Sequence, residues 1–493
     1  MKNKLLHIIR TKPVFLYLLP VFFVLHGFTN NFFLVPVKEY LLLNIIYLGA
    51  ALLLSLSFWL LYRDFLKANL VAMSIMAYNF FFGTVHDFLK LNFNNTFIIK
   101  YSFILPLSAV LLAILIIYLK KTKKTFFQIA SYLNVLLLLL ILLDTGALFL
   151  KLTKKRAVTE IEFPAEVKRC DTCLRPDIYL IIADEYAGKT QLEDIFSFDN
   201  TDFENALTKR NFNIIKHPVS NYNRTVYSMA SLFNMSYLEN LKNNKVNNTD
   251  LSLSMDLIEK SNVAAFLESN GYRIYNYSFF DFAGNPKLTK SAFLPEKKAF
   301  ITAQTFTERA WKDLWFHFAS KLKIQSIFNH TLFYNVKIDS LTRNVVLKKE
   351  EHPKFIYTHL VMPHFTYYFD SNGKSTGYKY LTDEARMNKK DYIGYLVYTN
   401  KKILELIDFI STNSRQPPVI ILMSDHGFHQ FKPDERVDNK YHFMNLNAVL
   451  FPEKNYGEFY DGISNVNQFR VVFNSLFGQQ LLLLKDSTSF VGE

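Results

Sequence analysis

Four short segments carry residues that, brought together, could hold a divalent cation and activate a hydroxyl. Ile420-Ile421-Leu422-Met423-Ser424-Asp425-His426-Gly427 reads as a buried strand ending in an acid, an imidazole and a glycine. Asp and His side by side at a strand end offer one hard oxygen and one ring nitrogen to a metal, and Gly427 lets the chain turn away without a side chain in its path. Upstream, the run Asp177–Ala183 ends in Asp184-Glu185. Adjacent carboxylates are costly there unless a cation or solvent compensates them; an exposed acidic turn is the alternative. In Ser220–Leu232, Thr225 stands where an irregular polar stretch gives way to a helical pattern. A Thr in that place is ordinarily an N-cap. The same place exposes backbone N–H groups and the positive end of the helix dipole, which suit a phosphate, and a hydroxyl there becomes a nucleophile if a metal lowers its pKa. Ser220 and Ser228 are rival hydroxyls, with Ser228 expected to serve the backbone of the first helical turn. His364 follows Pro363 at another strand end and can donate to an anionic oxygen, and His442 follows Tyr441 just before the apolar run Leu446–Phe451. His359 lies inside an apolar run and reads as structural; His429, in a loop, reads as solvated.

Positioning such residues takes a framework of alternating elements. Asp177–Ala183 is the continuous apolar run of a central parallel strand. Ala264–Asn270 reads as a helix end capped by Gly271, Tyr272–Tyr277 as the next strand, and Lys354–Leu360 as another. Asp391–Ser411 is amphipathic, with Tyr395, Tyr398, Ile403, Leu406 and Ile410 on one face, and Pro417-Pro418 precede the strand that ends at Asp425. Alternation of this kind predicts an α/β domain, a mostly parallel sheet covered by helices on both sides, with ligands beyond the carboxyl ends of the strands. Tyr222–Asn248 and Phe279–His330 are the least regular stretches, and no internal repeat or low-complexity tract stands out.

The first 150 residues differ in kind. Runs at Pro13–Thr29, Tyr40–Leu61, Ala68–Thr84, Tyr101–Leu119 and Phe126–Leu150 each approach the ~20 residues that cross a bilayer, although Asn79 weakens the third. The first run lacks a small-residue cleavage site and is followed by more spans, so it is not read as a signal peptide. Lys2, Lys4, Arg10 and Lys12 precede the first span, Arg63 and Lys67 follow the second, and Lys120, Lys121, Lys123 and Lys124 follow the fourth. The alternate loops hold only Lys38, Lys90 and Lys100. This bias puts the N-terminus in the cytoplasm, and five crossings put everything after Leu150 outside. The expected organisation is a transmembrane domain at 1–151, a charged linker at 152–175 and an extracytoplasmic domain at 176–493. A mean hydropathy of only +0.07 with half the residues hydrophobic suits that mixture. The net charge of +13 comes without a basic helix or nucleic-acid module, so anionic lipid is the expected partner rather than nucleic acid. The two cysteines, Cys170 and Cys173, lack the second C-x-x-C of a zinc site and read as a local disulfide.

In their order and their places at strand ends, the four segments resemble the alkaline phosphatase superfamily. The likeness is greatest to its membrane-bound sulfatase-like branch, which includes phosphoethanolamine transferases and lipoteichoic acid synthases. Asp425-His426-Gly427 and the strand ending in Asp184-Glu185 carry the match; Thr225 matches by position. The resemblance implies an N-terminal bundle of about five transmembrane helices followed by an α/β/α catalytic domain on the outer face of the cytoplasmic membrane. It further implies Glu185, with Asp184 beside it, and Asp425 and His426 as metal ligands, Thr225 as nucleophile, and His364 and His442 as holders of phosphate oxygens or a second metal. Zinc or manganese would suit the oxygen and nitrogen donors. True sulfatases carry C/S-x-P-x-R; counted from Thr225, this chain has Tyr227 and Met229 in place of the Pro and Arg, which disfavours sulfate-ester hydrolysis. The several disulfides of many phosphoethanolamine transferases cannot form from two cysteines. The expected activity is transfer of a phosphoryl-alcohol group from a lipid head-group donor through Thr225 to an envelope glycan. Hydrolysis of a phosphate or sulfate ester at the same site and a non-catalytic scaffold are the alternatives.

Overall fold

The computed structural model describes residues 12–93, 96–153, 169–170, 173–238, 245–288, 297–315, 318, 322, 329–377, 386–432 and 435–492. The chain divides into two compact units: Met1–Ala157 with Pro295–Leu322, and Val158–Leu294 with Lys323–Glu493.

The first unit holds five helices, α1 (Phe15–Asn30), α2 (Val37–Tyr62), α3 (Phe65–Asn92), α4 (Tyr101–Lys121) and α5 (Phe127–Thr153). All five predicted runs are thus helical, and α2 to α5 are long and apolar enough to cross a membrane; α1, at 16 residues, is shorter. The third helix, weakest in the sequence, is the longest at 28 residues, and the Asp64 side chain caps it by accepting from the Leu66 and Lys67 amides. Its polar residues are satisfied inside the unit: Asn69 accepts from the Ser55 hydroxyl and Asn79 from the Thr307 amide. Apolar side chains of α2 point away from the protein, with Ile45 69% and Leu53 67% exposed, as expected where lipid is the solvent. The stretch 297–315, expected as an irregular part of the outer domain, belongs instead to this unit and forms short helices at Ala299–Thr302 and Phe306–Ala310.

The second unit is built on a six-stranded sheet, β1 (Ile178–Ala183), β2 (Asn213–Ile214), β3 (Arg273–Tyr277), β4 (Lys354–Leu360), β5 (Val419–Met423) and β6 (Asn447–Leu450), in the order β2-β6-β5-β1-β4-β3. The four strands β5-β1-β4-β3 are parallel, and β6 and β2 continue the sheet antiparallel. Every residue of β1, β4 and β5 is buried, which accounts for their unbroken apolar runs. The helices of this unit are α6 (Lys189–Phe196), α7 (Thr201–Lys209), α8 (Thr225–Asn234), α9 (Asn248–Glu259), α10 (Asn262–Ser269), α11 (His330–Leu347), α12 (Lys389–Asn413) and α13 (Asn465–Phe477). Alternation along β4 shows that both faces are covered. Phe355 and Tyr357 pack on Phe469 of α13 and Phe233 of α8, while Thr358 faces Thr342 of α11, hydroxyl to hydroxyl at 2.8 Å. On α12, Tyr395, Ile403, Leu406 and Ile410 are buried as expected, and Tyr398 sits at the margin of that face. Cys170 and Cys173 form a disulfide; of the expected linker, residues 154–168 and 171–172 lie outside the described residues.

Candidate active site

β1 and β5 are neighbours in the sheet, with Ile182 opposite Met423, so their next residues, Asp184-Glu185 and Ser424-Asp425-His426, emerge together. The two ends are laced by backbone. The Glu185 amide donates to Asp425 Oδ1 at 3.0 Å and the Tyr186 amide to Ser424 Oγ at 2.9 Å. Glu185 takes a φ of 59°, a left-handed conformation uncommon outside glycine that is typical of residues held in place for function. Gly427 is required for room: a Cβ there would lie 2.5 Å from the carbonyl oxygens of both Met444 and Tyr441. Its absence lets the Asp-His turn press against the loop that carries His442, whose carbonyl accepts from the Gly427 amide at 2.9 Å.

Asp184, Asp425 and His426 present ligand atoms that all lie within 4.8 Å of one another, and all three residues are buried. Glu185, equally buried, turns beside this group toward His364 Nε2 (3.5 Å) and His429 Nδ1 (3.2 Å). The predicted neighbours thus have different companions. Asp184 Oδ1, Glu185 Oε2 and Asp425 Oδ2 are buried and make no hydrogen bond. Burial, with repulsion from Asp425 and Glu185, pushes Asp184 well above the ordinary carboxylate range. Burial is also the main cause that lifts Glu185 to about 8. Asp425 alone stands below its ordinary value: burial pushes it up, but His426, His359, the Glu185 amide and the Thr225 hydroxyl outweigh that. Three carboxylates in water-poor surroundings with oxygens left over are the donor set of a divalent cation, so the residues fit the metal that the sequence calls for.

Thr225 is the first residue of α8, and the capping position belongs to Arg224. The expected N-cap role is therefore not its own. Thr225 Oγ1 instead lies 3.2 Å from His426 Nε2, and the residue is 7% exposed. His426 Nδ1 is 2.8 Å from the Gly427 carbonyl, which fixes the proton on Nδ1 and leaves Nε2 as the lone-pair nitrogen facing the threonine. The rivals are engaged elsewhere. Ser220 Oγ donates to the Tyr222 carbonyl at 3.0 Å, and Ser228 Oγ donates to the carbonyl of Asp425 at 2.6 Å. Ser228 does serve a backbone, but that of the ligand turn across the site rather than its own helix. Asn465, at the start of α13, donates to both Ser228 Oγ and the Asp425 carbonyl.

His364, with 13% of its side chain exposed, also ties the site together by donating its amide to the Asp184 carbonyl at 3.1 Å. His442 stacks edge-on between Phe431 and Phe490, and its Nδ1 makes no hydrogen bond. Burial depresses the pKa of His364 and of His442 to about 4. Two histidines prove more central than the sequence suggests. His359 is buried in β4 and joins Asp184 Oδ2 through Nε2 at 3.2 Å, with the Tyr357 hydroxyl at its Nδ1 (2.7 Å); burial lowers it to about 3. His429, expected in solvent, has only 18% of its side chain exposed and packs against the His426 ring, while its amide donates to Glu185 Oε1 at 3.0 Å. Period-two alternation on β4 from Phe355 to His359 was the available signal for the first. For His429 there was none, because its place depends on a loop returning over Glu185. Arg224 and Arg386 add positive potential: Arg224 helps depress His429 and His442, and Arg386 opposes the rise of Glu185.

Among solved structures, similarity extends to the C-terminal periplasmic domain of EptC from Escherichia coli (15% identity, 66% of this chain and 92% of that chain, TM-score 0.39). It extends also to the soluble domain of lipooligosaccharide phosphoethanolamine transferase A from Neisseria meningitidis (12% identity, 63% and 90%, TM-score 0.37). A third is a Bacteroides thetaiotaomicron protein of glycosaminoglycan metabolism (13% identity, 61% and 72%, TM-score 0.37). No curated protein matches the chain. The sulfatase family model matches residues 180–469, from β1 through the Asp-His turn and into α13. With more than half of its length in that match, this membrane-helix-bearing chain belongs to the sulfatase family.

Proposed function

We propose that the protein is a metal-dependent transferase. In this reading it moves a phosphoryl-alcohol group, of phosphoethanolamine or phosphoglycerol type, from a lipid head group to a hydroxyl of an envelope glycan or glycolipid. The observation that carries the reading is the hydroxyl of Thr225, free of capping duty, 3.2 Å from His426 Nε2 beside the buried carboxylates of Asp184 and Asp425. A threonine cannot be converted into the formylglycine of sulfate-ester hydrolysis, and Tyr227 and Met229 stand where that motif needs Pro and Arg.

Asp184, Asp425 and His426, with Glu185 beside them, would hold a zinc or manganese ion, whose chemistry there is to lower the pKa of a nearby hydroxyl and to draw charge from phosphoryl oxygens. The chain's own residues do the rest. Thr225 Oγ1 attacks the phosphorus; the Oγ1–P bond forms as the bond to the diacylglycerol oxygen breaks, and the proton of Thr225 ends on that oxygen. The amides at the start of α8, His364, His442 and Arg224 would stabilise the oxygens on which negative charge builds. An acceptor hydroxyl then attacks the same phosphorus, the Oγ1–P bond breaks, and Thr225 recovers its proton. The helices α1 to α5 would hold the enzyme at its lipid donor, and their five crossings would put the N-terminus in the cytoplasm and the catalytic unit on the outer face.

Incubation of the metal-loaded protein with phosphatidylethanolamine or phosphatidylglycerol should add a phosphoryl-alcohol mass to the Thr225 peptide, and Thr225→Ala should abolish it. Ester hydrolysis with an unmodified Thr225 would instead assign the site to a hydrolase.

A further inference from the structure

We propose that the stretch 297–315, together with Phe318 and Leu322, is a membrane-interface element, seated on the bundle helices with its tryptophan face in the phospholipid leaflet far from Arg63 and Lys67. The chain leaves the catalytic unit at Leu294, joins the helical unit for Pro295–Leu322, and returns at Lys323. What it does there is set by contacts along α3. The Thr307 amide donates to Asn79 Oδ1 (3.2 Å), and the Gln304 carbonyl accepts from the Gly83 amide (2.8 Å). Arg309 pairs with Asp87 at 2.5 Å. Gly83 admits the close approach: a Cβ there would lie 2.6 Å from the Gln304 oxygen. Phe306 packs between Tyr78 and Phe82, the Asn31 amide group reaches the Phe300 carbonyl at 3.1 Å, and Tyr101 donates to Asp313 at 2.6 Å.

Asn79 and Asp87 lie eight residues apart, so at about 1.5 Å per residue the docking line runs about 12 Å along α3. The opposite end of α3 is flanked by Arg63 and Lys67. A span of ~20 residues counted from that end finishes close to Asp87, which places the docking line in the far leaflet rather than in water. The face turned away from the bundle suits that depth. Trp311 is 61% exposed and stacks on Trp315 at 5.5 Å, with Phe318 and Leu322 also exposed and Lys312 beside them. Tryptophans with an adjacent lysine are the composition of a head-group boundary. An aqueous loop would leave this apolar face in water with nothing gained.

The chain has three tryptophans, Trp59, Trp311 and Trp315, which makes the depth measurable. The full-length protein carrying Trp59→Phe and Trp315→Phe, reconstituted in phosphatidylethanolamine–phosphatidylglycerol vesicles, reports on Trp311 alone. A nitroxide on the acyl chain near the head group should quench it about twofold more than one near the chain terminus. Equal or no quenching at the two depths, with emission at the aqueous limit, would overturn the proposal, as would stronger quenching from the deep label. If the double variant does not fold, Trp59→Phe alone keeps the stacked pair and gives the same comparison. The readout needs no turnover, so it stands or falls apart from the transferase reading.

Discussion

Both units arrange acidic groups, and they do so in opposite ways. In the helical unit three acids each have a basic or hydroxyl companion: Asp144 meets His26 at 3.1 Å, Asp87 meets Arg309, and Asp313 meets Tyr101. In the catalytic unit Asp184 and Asp425 converge with Glu185 beside them, and the histidines around them do not balance the charge. His359, His364 and His429 are all held below the ordinary imidazole pKa by burial, so near neutral pH they are uncharged. Pairing one for one gives a self-sufficient contact that lipid surroundings tolerate. Collecting like charges gives a site that is incomplete without a cation. On the proposed function, the difference separates charges that hold a bundle together from charges that serve a metal-dependent reaction.

The sharpest way to break the comparison is to remove a carboxylate from the cluster. Asp425→Ala should release the bound metal and lower turnover by at least ~10³-fold, the ~4 kcal/mol of a lost site component. Metal analysis and a transfer assay on one preparation check both parts, and full metal content in the variant would contradict the ligand assignment.

A second test uses pH on the metal-free protein. Glu185, raised to about 8, keeps in the folded state a proton that the unfolded chain loses near 4.5, and Asp184 shifts in the same direction. A raised carboxylate makes stability fall as pH rises. His359, depressed to about 3 from 6.5, contributes stability that is lost only below 6.5. The carboxylates therefore act alone between about 6.5 and about 8, and the melting temperature of chelated protein should drop across that window. Saturation with zinc or manganese should flatten the drop; a rise with pH in the chelated protein would contradict the arrangement.

The smallest effect belongs to the paired acid. Asp144→Asn keeps a hydrogen-bonding partner for His26, so the loss in stability should stay below about 1 kcal/mol, with metal content and turnover unchanged. A loss of metal on this substitution would erase the distinction between the two regions.

The sequence determined a good deal of this molecule by itself. Continuous apolar runs fixed the membrane helices and β1, β4 and β5, because an unbroken run has to be withdrawn from water by lipid or by a sheet covered on both faces. Hydropathy alone did not tell which, and length did: about 20 residues and more in α2 to α5 against six in β1. Asp184, Glu185, Asp425 and His426 were legible as ligand types at strand ends, since the ends of adjacent parallel strands must lie together. What only the tertiary structure decided depends on loops and on register. Asp184 groups with Asp425 and His426 while Glu185 turns to His364 and His429, a division set by backbone torsion at Glu185. His359 lies on the same face of β4 as Tyr357 and so reaches Asp184, and His429 is folded back over Glu185. The stretch 297–315 joins the membrane helices through contacts more than two hundred residues away in sequence. Local pattern specifies what a segment can bury or ligate. Which partner it meets is a property of chain closure, and no window of sequence holds that information.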